Sequence, residues 1–185
     1  MAFPGKQLQT TLSAEGVLTV EIVDHEWAAP NGTQVLVQVE AAPINPSDLA
    51  LLFGPADTVN AQYSPGKVVA QMPEAAVAAM TARHGISMPA GNEAAGLVVA
   101  AGQDPSAQVL LGKRVACVPG TAYATFAYAE AELTLPLPDD VSAEQGASSF
   151  VNPMTALSFV ETMRIEGFTG LVHAAAASNL GQMLV

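Results

Sequence analysis

Ala176, Ser178 and Gly181 are small residues at the first, third and sixth positions of a turn that follows the apolar run Leu171-Val172-His173-Ala174-Ala175. That is G-x-G-x-x-G spacing. It lets the backbone turn tightly enough for a pyrophosphate to approach the N-terminus of the next helix. Free N–H groups and the helix dipole favour an anion there. Only the third position is glycine, so an ordinary strand–helix turn lined with alanines fits the same residues. The pattern becomes specific inside a strand–helix–strand unit. The sequence ends at Val185, inside the predicted helix. The residue that separates NAD from NADP would fall about 20 positions after the motif.

Few other side chains have reactive spacing. His25, His84 and His173 are isolated, and no two stand at i, i+4. Cys117 is the one cysteine, so neither a disulfide nor a cysteine-rich zinc site can form. It sits on an apolar run with no helix start beside it, which predicts an inert, buried thiol. No G-x-S-x-G, H-E-x-x-H or phosphate-loop pattern occurs.

The balance of charge excludes further classes. Seventeen acidic and six basic residues give a net charge of −11. The basic residues are scattered, which argues against nucleic acid and anionic membrane as partners. Half of the chain is apolar and 12% is charged, which excludes disorder. Residues Met1–Lys6 carry no leader pattern, and runs such as Ala94–Ala101 are too short to span a bilayer. A cytoplasmic location is expected.

The elements that must position these residues change character along the chain. Up to about residue 140 the sequence is β-rich and punctuated by Pro and Gly, which predicts a small barrel or irregular sandwich. Strands are expected at Val17–Val23, Gln34–Glu40, Leu97–Ala101, Arg114–Val118 and Leu133–Leu137. Pro30-Asn31-Gly32 has hairpin chemistry. Glu74–His84 reads as a helix ended by Gly85, within a segment, 54–89, that is a candidate insertion or lid. After residue 141, Ser142 and Gln145 form a capping box for a helix over 142–151. Pro153 opens a second helix that ends between Gly167 and Gly170. A buried strand over Leu171–Ala175 and a helix from Ser178 complete an α-β-α start.

Several motifs, in order, resemble the medium-chain dehydrogenase/reductase superfamily, on its zinc-independent branch of quinone oxidoreductases and enoyl reductases. They are Ala41-Ala42-Pro43-Ile44-Asn45-Pro46-Ser47-Asp48, Gly91-Asn92-Glu93-Ala94-Ala95-Gly96-Leu97-Val98, Gly112-Lys113-Arg114-Val115, Tyr123-Ala124-Thr125-Phe126, Leu137-Pro138-Asp139-Asp140-Val141-Ser142 and Asn152-Pro153-Met154-Thr155-Ala156. The resemblance implies a mainly β fold with some α. A GroES-like, partly open β-barrel over 1–140 would be followed by the truncated start of a Rossmann domain over 141–185. The chain would be the N-terminal half of a longer enzyme.

The resemblance also implies chemistry. Zinc-dependent relatives hold their metal with a cysteine in the turn where this chain has Asn45-Pro46-Ser47, a histidine where it has Asn92, and a later cysteine or carboxylate, so no metal is expected. Hydrogen-bond donors must then steady charge on the acceptor. The resemblance points to Asn45, Asp48 and Thr155 as catalytic, with Asn92 and Glu93 nearby. Asp48 fits a helix cap equally well. Enoyl reductases of this type carry a tyrosine proton donor soon after the Asn-Pro-Ser-Asp turn; none follows here, and Tyr63 is the nearest candidate. Asn45, Asn152, Thr155, Ala176, Ser178, Asn179, Leu180 and Gly181 are the implied cofactor contacts. NADP or NAD would bind the full-length parent, with none held tightly by this fragment. The implied partners are the nicotinamide cofactor, a small-molecule acceptor and a second copy in a homo-oligomer. The fragment alone would be inactive. The other reading of the same residues is a non-catalytic module for binding or self-association.

Overall fold

The computed structural model describes residues 2–185. The chain opens with β1 (Phe3–Leu12), β2 (Val17–Trp27) and β3 (Gln34–Ala41), followed by α1 (Pro46–Leu52). Next come β4 (Asp57–Ser64), β5 (Lys67–Gln71), α2 (Glu74–Ala79), β6 (Ser87–Pro89), β7 (Ala94–Ala101), α3 (Pro105–Gln108), β8 (Arg114–Cys117), β9 (Phe126–Glu130) and β10 (Thr134–Pro136). Three helices end it: α4 (Ala143–Gly146), α5 (Val151–Glu166) and α6 (Asn179–Met183).

The strands form two antiparallel sheets in the orders β4-β5-β2-β1-β6 and β10-β8-β7-β3-β9. The sheets do not close into a barrel. They meet where Tyr123–Thr125 runs between them. The Leu8 N–H donates to the Tyr123 carbonyl at 2.8 Å, and the Val39 N–H donates to the Thr125 carbonyl at 3.0 Å. In β3, Val35 and Val37 are completely buried against Val98 of β7 and Val115 of β8, and Leu36 between them is completely buried as well. A second apolar cluster gathers Leu12, Leu18, Val20, Leu52, Met72 and Ala90, and it seats α1 on the first sheet.

Several expectations change. Asn31-Gly32 is a turn between sheets, because β2 and β3 pair with different partners. Gly32, at φ 55°, turns the chain while its carbonyl accepts the Asp104 N–H at 3.1 Å. The alanine-rich helix stops at Ala79 and continues as a 3-10 turn, Thr81–Arg83. None of its residues is fully buried; only Ala76 and Val77 pack, half-buried, against the Leu12–Leu18 cluster, and so short a helix with so small a packed face gains little beyond propensity. Segment 54–89 supplies three strands of the first sheet, β4, β5 and β6.

A further change lies at the end of the chain. Leu171–Ala175 pairs with nothing, and Val172 is 98% exposed. A parallel strand is stabilised by neighbours on both sides, and the chain brings none to this run. The flanking helices do form. The Ser142 capping box is present, with Ser142 Oγ accepting the Gln145 N–H at 3.3 Å and Gln145 Oε1 accepting the Ser142 N–H at 2.9 Å. The helix it starts, α4, is shorter than expected, and α5 begins at Val151, ahead of Pro153. Gly167 closes α5 in the left-handed region at φ 69°. Ser142→Ala is expected to lower stability by about 1 kcal/mol in urea unfolding.

Candidate functional site

The turn from β3 into α1 begins the site. Asn45 is the N-cap, with extended backbone, and Pro46 pre-sets the first helical residue. Asp48 is fully buried. Its Oδ2 accepts the Asn45 N–H at 2.8 Å, and its Oδ1 accepts the Asn92 N–H at 2.9 Å. The carboxylate therefore caps α1 and ties it to the loop after β6.

Glu93, 1% exposed, is the second buried carboxylate. Its Oε1 accepts from Asn45 Nδ2 at 3.0 Å. Its Oε2 accepts the Phe150 and Val151 N–H groups, each at 2.9 Å. Those two amides belong to the start of α5. Asn92 completes the seam by donating from Nδ2 to Ser47 Oγ at 3.0 Å. Tyr123 donates its hydroxyl to the Pro43 carbonyl at 3.0 Å. Burial, then the Asp48 and Glu93 charges, pushes this phenol far above its ordinary range, so it holds its proton.

The other expected residues lie apart from this network or at its margin. Thr155 sits one turn into α5, and its hydroxyl donates to the Val151 carbonyl at 2.6 Å. Asn152 is half-buried in the same first turn. Tyr63 is 66% exposed on the β4–β5 hairpin, and its hydroxyl donates to the Thr58 carbonyl at 2.7 Å. No hydrogen bond joins it to Asn45, Asp48 or Glu93. At the chain's end, Ser178 caps α6 by accepting the Gly181 N–H at 3.0 Å. Ala176 and Asn179 are exposed, and Leu180 is half-buried. Gly181 is buried; a Cβ there would press into the Ala175 and Ala176 carbonyl oxygens. Position 181 therefore has room only for glycine.

The remaining candidates have structural partners. His84 Nε2 lies 3.1 Å from the Val77 carbonyl, and His25 packs edge-on against Trp27. Among the described residues, no three His, Cys, Asp or Glu side chains gather as metal ligands. Burial pushes the Cys117 thiol up to about 12. We expect Cys117 to resist iodoacetamide near neutral pH in the folded protein and to react once the chain is unfolded, as followed by mass.

Sequence reasoning missed Tyr123 as a neighbour of the carboxylates and missed the amide pair of Phe150 and Val151. The second had a signal: the first N–H groups of every helix lack intrahelical partners, so an acceptor was required. That acceptor lies 57 and 58 residues away, where no local pattern reaches.

Residues 31–139, more than half of the chain, match the alcohol dehydrogenase GroES-like domain. The chain belongs to this family. It is a member of the medium-chain dehydrogenase/reductase superfamily and corresponds to the N-terminal half of quinone- and enoyl-reductase-like proteins. It is 28% identical over 168 residues to the mitochondrial enoyl-[acyl-carrier-protein] reductase of Bos taurus, covering 90% of this chain and 39% of that protein. A crystal structure assigned as an NADPH:quinone reductase from Mesorhizobium loti is 29% identical with a TM-score of 0.69. That match covers 98% of this chain and 50% of the other. A Coxiella burnetii quinone oxidoreductase shares the fold at 18% identity and a TM-score of 0.67, covering 98% of this chain and 52% of the other. The chain thus spans half or less of the first two relatives. No helix among the described residues is long and apolar enough to cross a membrane.

Proposed function

We propose that this GroES-like chain supplies the acceptor side of a zinc-free oxidoreductase that transfers hydride from NAD(P)H to an activated C=C bond or a quinone. One observation carries the reading. The seam between α1 and α5 is built from amides and carboxylates that bond each other, with Asn45 and Asn92 where a metal site needs thiolate or imidazole. The 29% identity to the Mesorhizobium loti protein over nearly the whole chain supports the same class.

The turn at Ala176–Gly181 is the proposed seat of the dinucleotide. Its exposed alanines leave the backbone open, and the buried Gly181 leaves no room for a Cβ. Ser178, Asn179, Leu180 and Gly181 would hold the pyrophosphate end, and Asn45, Asn152 and Thr155 would line the nicotinamide end. When bound, the cofactor supplies the hydride. Asn45 reaches the surface only at its edge, being 5% exposed. Asp48 and Glu93 act behind it, holding α1, the Asn92 loop and α5 in place. Tyr123 stays protonated, with its hydroxyl donating to the Pro43 carbonyl.

The chain alone is expected to show no enzyme-like NADPH consumption with benzoquinone or a crotonyl thioester. Fused to the remaining half of the Mesorhizobium loti relative, it is expected to consume NADPH with one of them. A folded fusion that binds NADPH and reduces neither would overturn the acceptor assignment. Turnover by the chain alone would overturn its inactivity. Homo-oligomerisation belongs to the same proposal. The strand edge that suggested it is not formed, and the exposed Ile165, Phe168 and Val172 take its place as the sticky surface. Light scattering at tens of micromolar is expected to show self-association.

A further inference from the structure

We infer that Glu93 is the positioning residue that sets α5 against α1. The helix α5 has sixteen residues, yet Ala156 is its only buried one. Its main packing partner is α6, which belongs to the same end of the chain. Little apolar surface therefore fixes α5 to the two sheets. What does fix it is a buried carboxylate at its first turn. Glu93 Oε2 takes the Phe150 and Val151 amides, and Oε1 takes Asn45 Nδ2.

Three donors converge on one acceptor-only group. Each bond is charge-assisted, and two are helix N-terminal N–H groups that favour an anion. Glu93 comes from the loop that leads into β7, so it is anchored in the second sheet. Through it, the turn that carries Asn45 and the turn that carries Asn152 and Thr155 keep one spacing. The consequence for cofactor affinity rests on the nicotinamide reading above; the clamp itself does not.

The test is a charge exchange read by amide hydrogen exchange on the whole chain. Glu93→Gln keeps the shape, removes the charge, and turns a donor toward Asn45 Nδ2. We expect about tenfold faster exchange at the Phe150 and Val151 amides, with β3 and β7 amides unchanged. Asn45→Asp alone sets two carboxylates side by side and is expected to speed the same amides. The double variant restores a donor–acceptor pair with one charge. It should bring both amides back to within about threefold of the parent, since coupled sites are not additive. A general loss of packing would not be rescued by a second substitution.

Unchanged exchange in Glu93→Gln, or a double variant no slower than the single, would overturn the clamp. The probe for the consequence is reduced nicotinamide mononucleotide. It should bind Glu93→Gln about fivefold or more weakly than the parent. Equal binding with faster exchange would overturn the positioning role. No binding to the parent would overturn the nicotinamide reading, and the exchange result would still decide the clamp.

Discussion

Asp48→Ala is expected to lower the unfolding free energy by about 3–5 kcal/mol. The side chain is fully buried, and it is the acceptor for two backbone N–H groups, those of Asn45 and Asn92. Alanine would leave both donors buried without a partner, each costing about 1–3 kcal/mol, and would open a cavity where the carboxylate stood. Asp48→Asn should cost less, about 2 kcal/mol, because its carbonyl oxygen can take one donor while its amide faces the other. Urea unfolding followed by circular dichroism measures both. A loss under about 1 kcal/mol for the alanine variant would mean that water replaces the carboxylate.

Gly91→Ala is expected to cost about 3 kcal/mol or more and to move the Asn92–Glu93 loop. Gly91 has φ 103°, a conformation that side chains with a Cβ rarely adopt. A Cβ there would also lie 2.6 Å from the Tyr123 nitrogen and 2.9 Å from the Ala122 nitrogen and Cβ. Those atoms are backbone or core, so they cannot swing away. The Gly91 carbonyl accepts the Ala122 N–H at 3.0 Å, and this contact holds the loop beside Tyr123. Shifting it would pull the Asn92 N–H from Asp48 and Glu93 from the start of α5. The variant should therefore lose stability and also exchange faster at the Phe150 and Val151 amides. Thermal unfolding with near-native exchange at those two amides would contradict the argument.

Much of the fold was legible because its signals are local. The alternation in Gln34–Glu40 marks β3, the Ser142–Gln145 pair marks the start of α4, and Gly167 marks the end of α5. The failures share a cause. Leu171–Ala175 has the composition of a buried strand, but a strand is a property of its neighbours, and none lie beside it. Asn31-Gly32 has hairpin residues, yet which strands pair is decided across the sheet, and β3 finds β7 and β9.

The site divides the same way. Asn45, Asp48, Asn92 and Glu93 could be singled out by resemblance, and they do converge. The Asn45–Asp48 bond is local and was legible as a helix cap, but the bonds to Asn92, Phe150 and Val151 span 44 to 58 residues and leave no periodic trace. Tyr63 shows the limit of choosing by proximity in sequence: the hairpin that carries it closes on its own Thr58.

The measurement that reaches the central claim most directly is a titration of the isotope-labelled chain with NADPH, followed by amide chemical shifts. Weak binding suffices, because the readout is location. The account predicts shifts at Asn45, Asn92, Asn152 and Thr155, and at Ser178 through Gly181, with the β4–β5 hairpin silent. Shifts confined to other surfaces, or none at millimolar cofactor, would contradict the claim that the α1–α5 seam faces a nicotinamide.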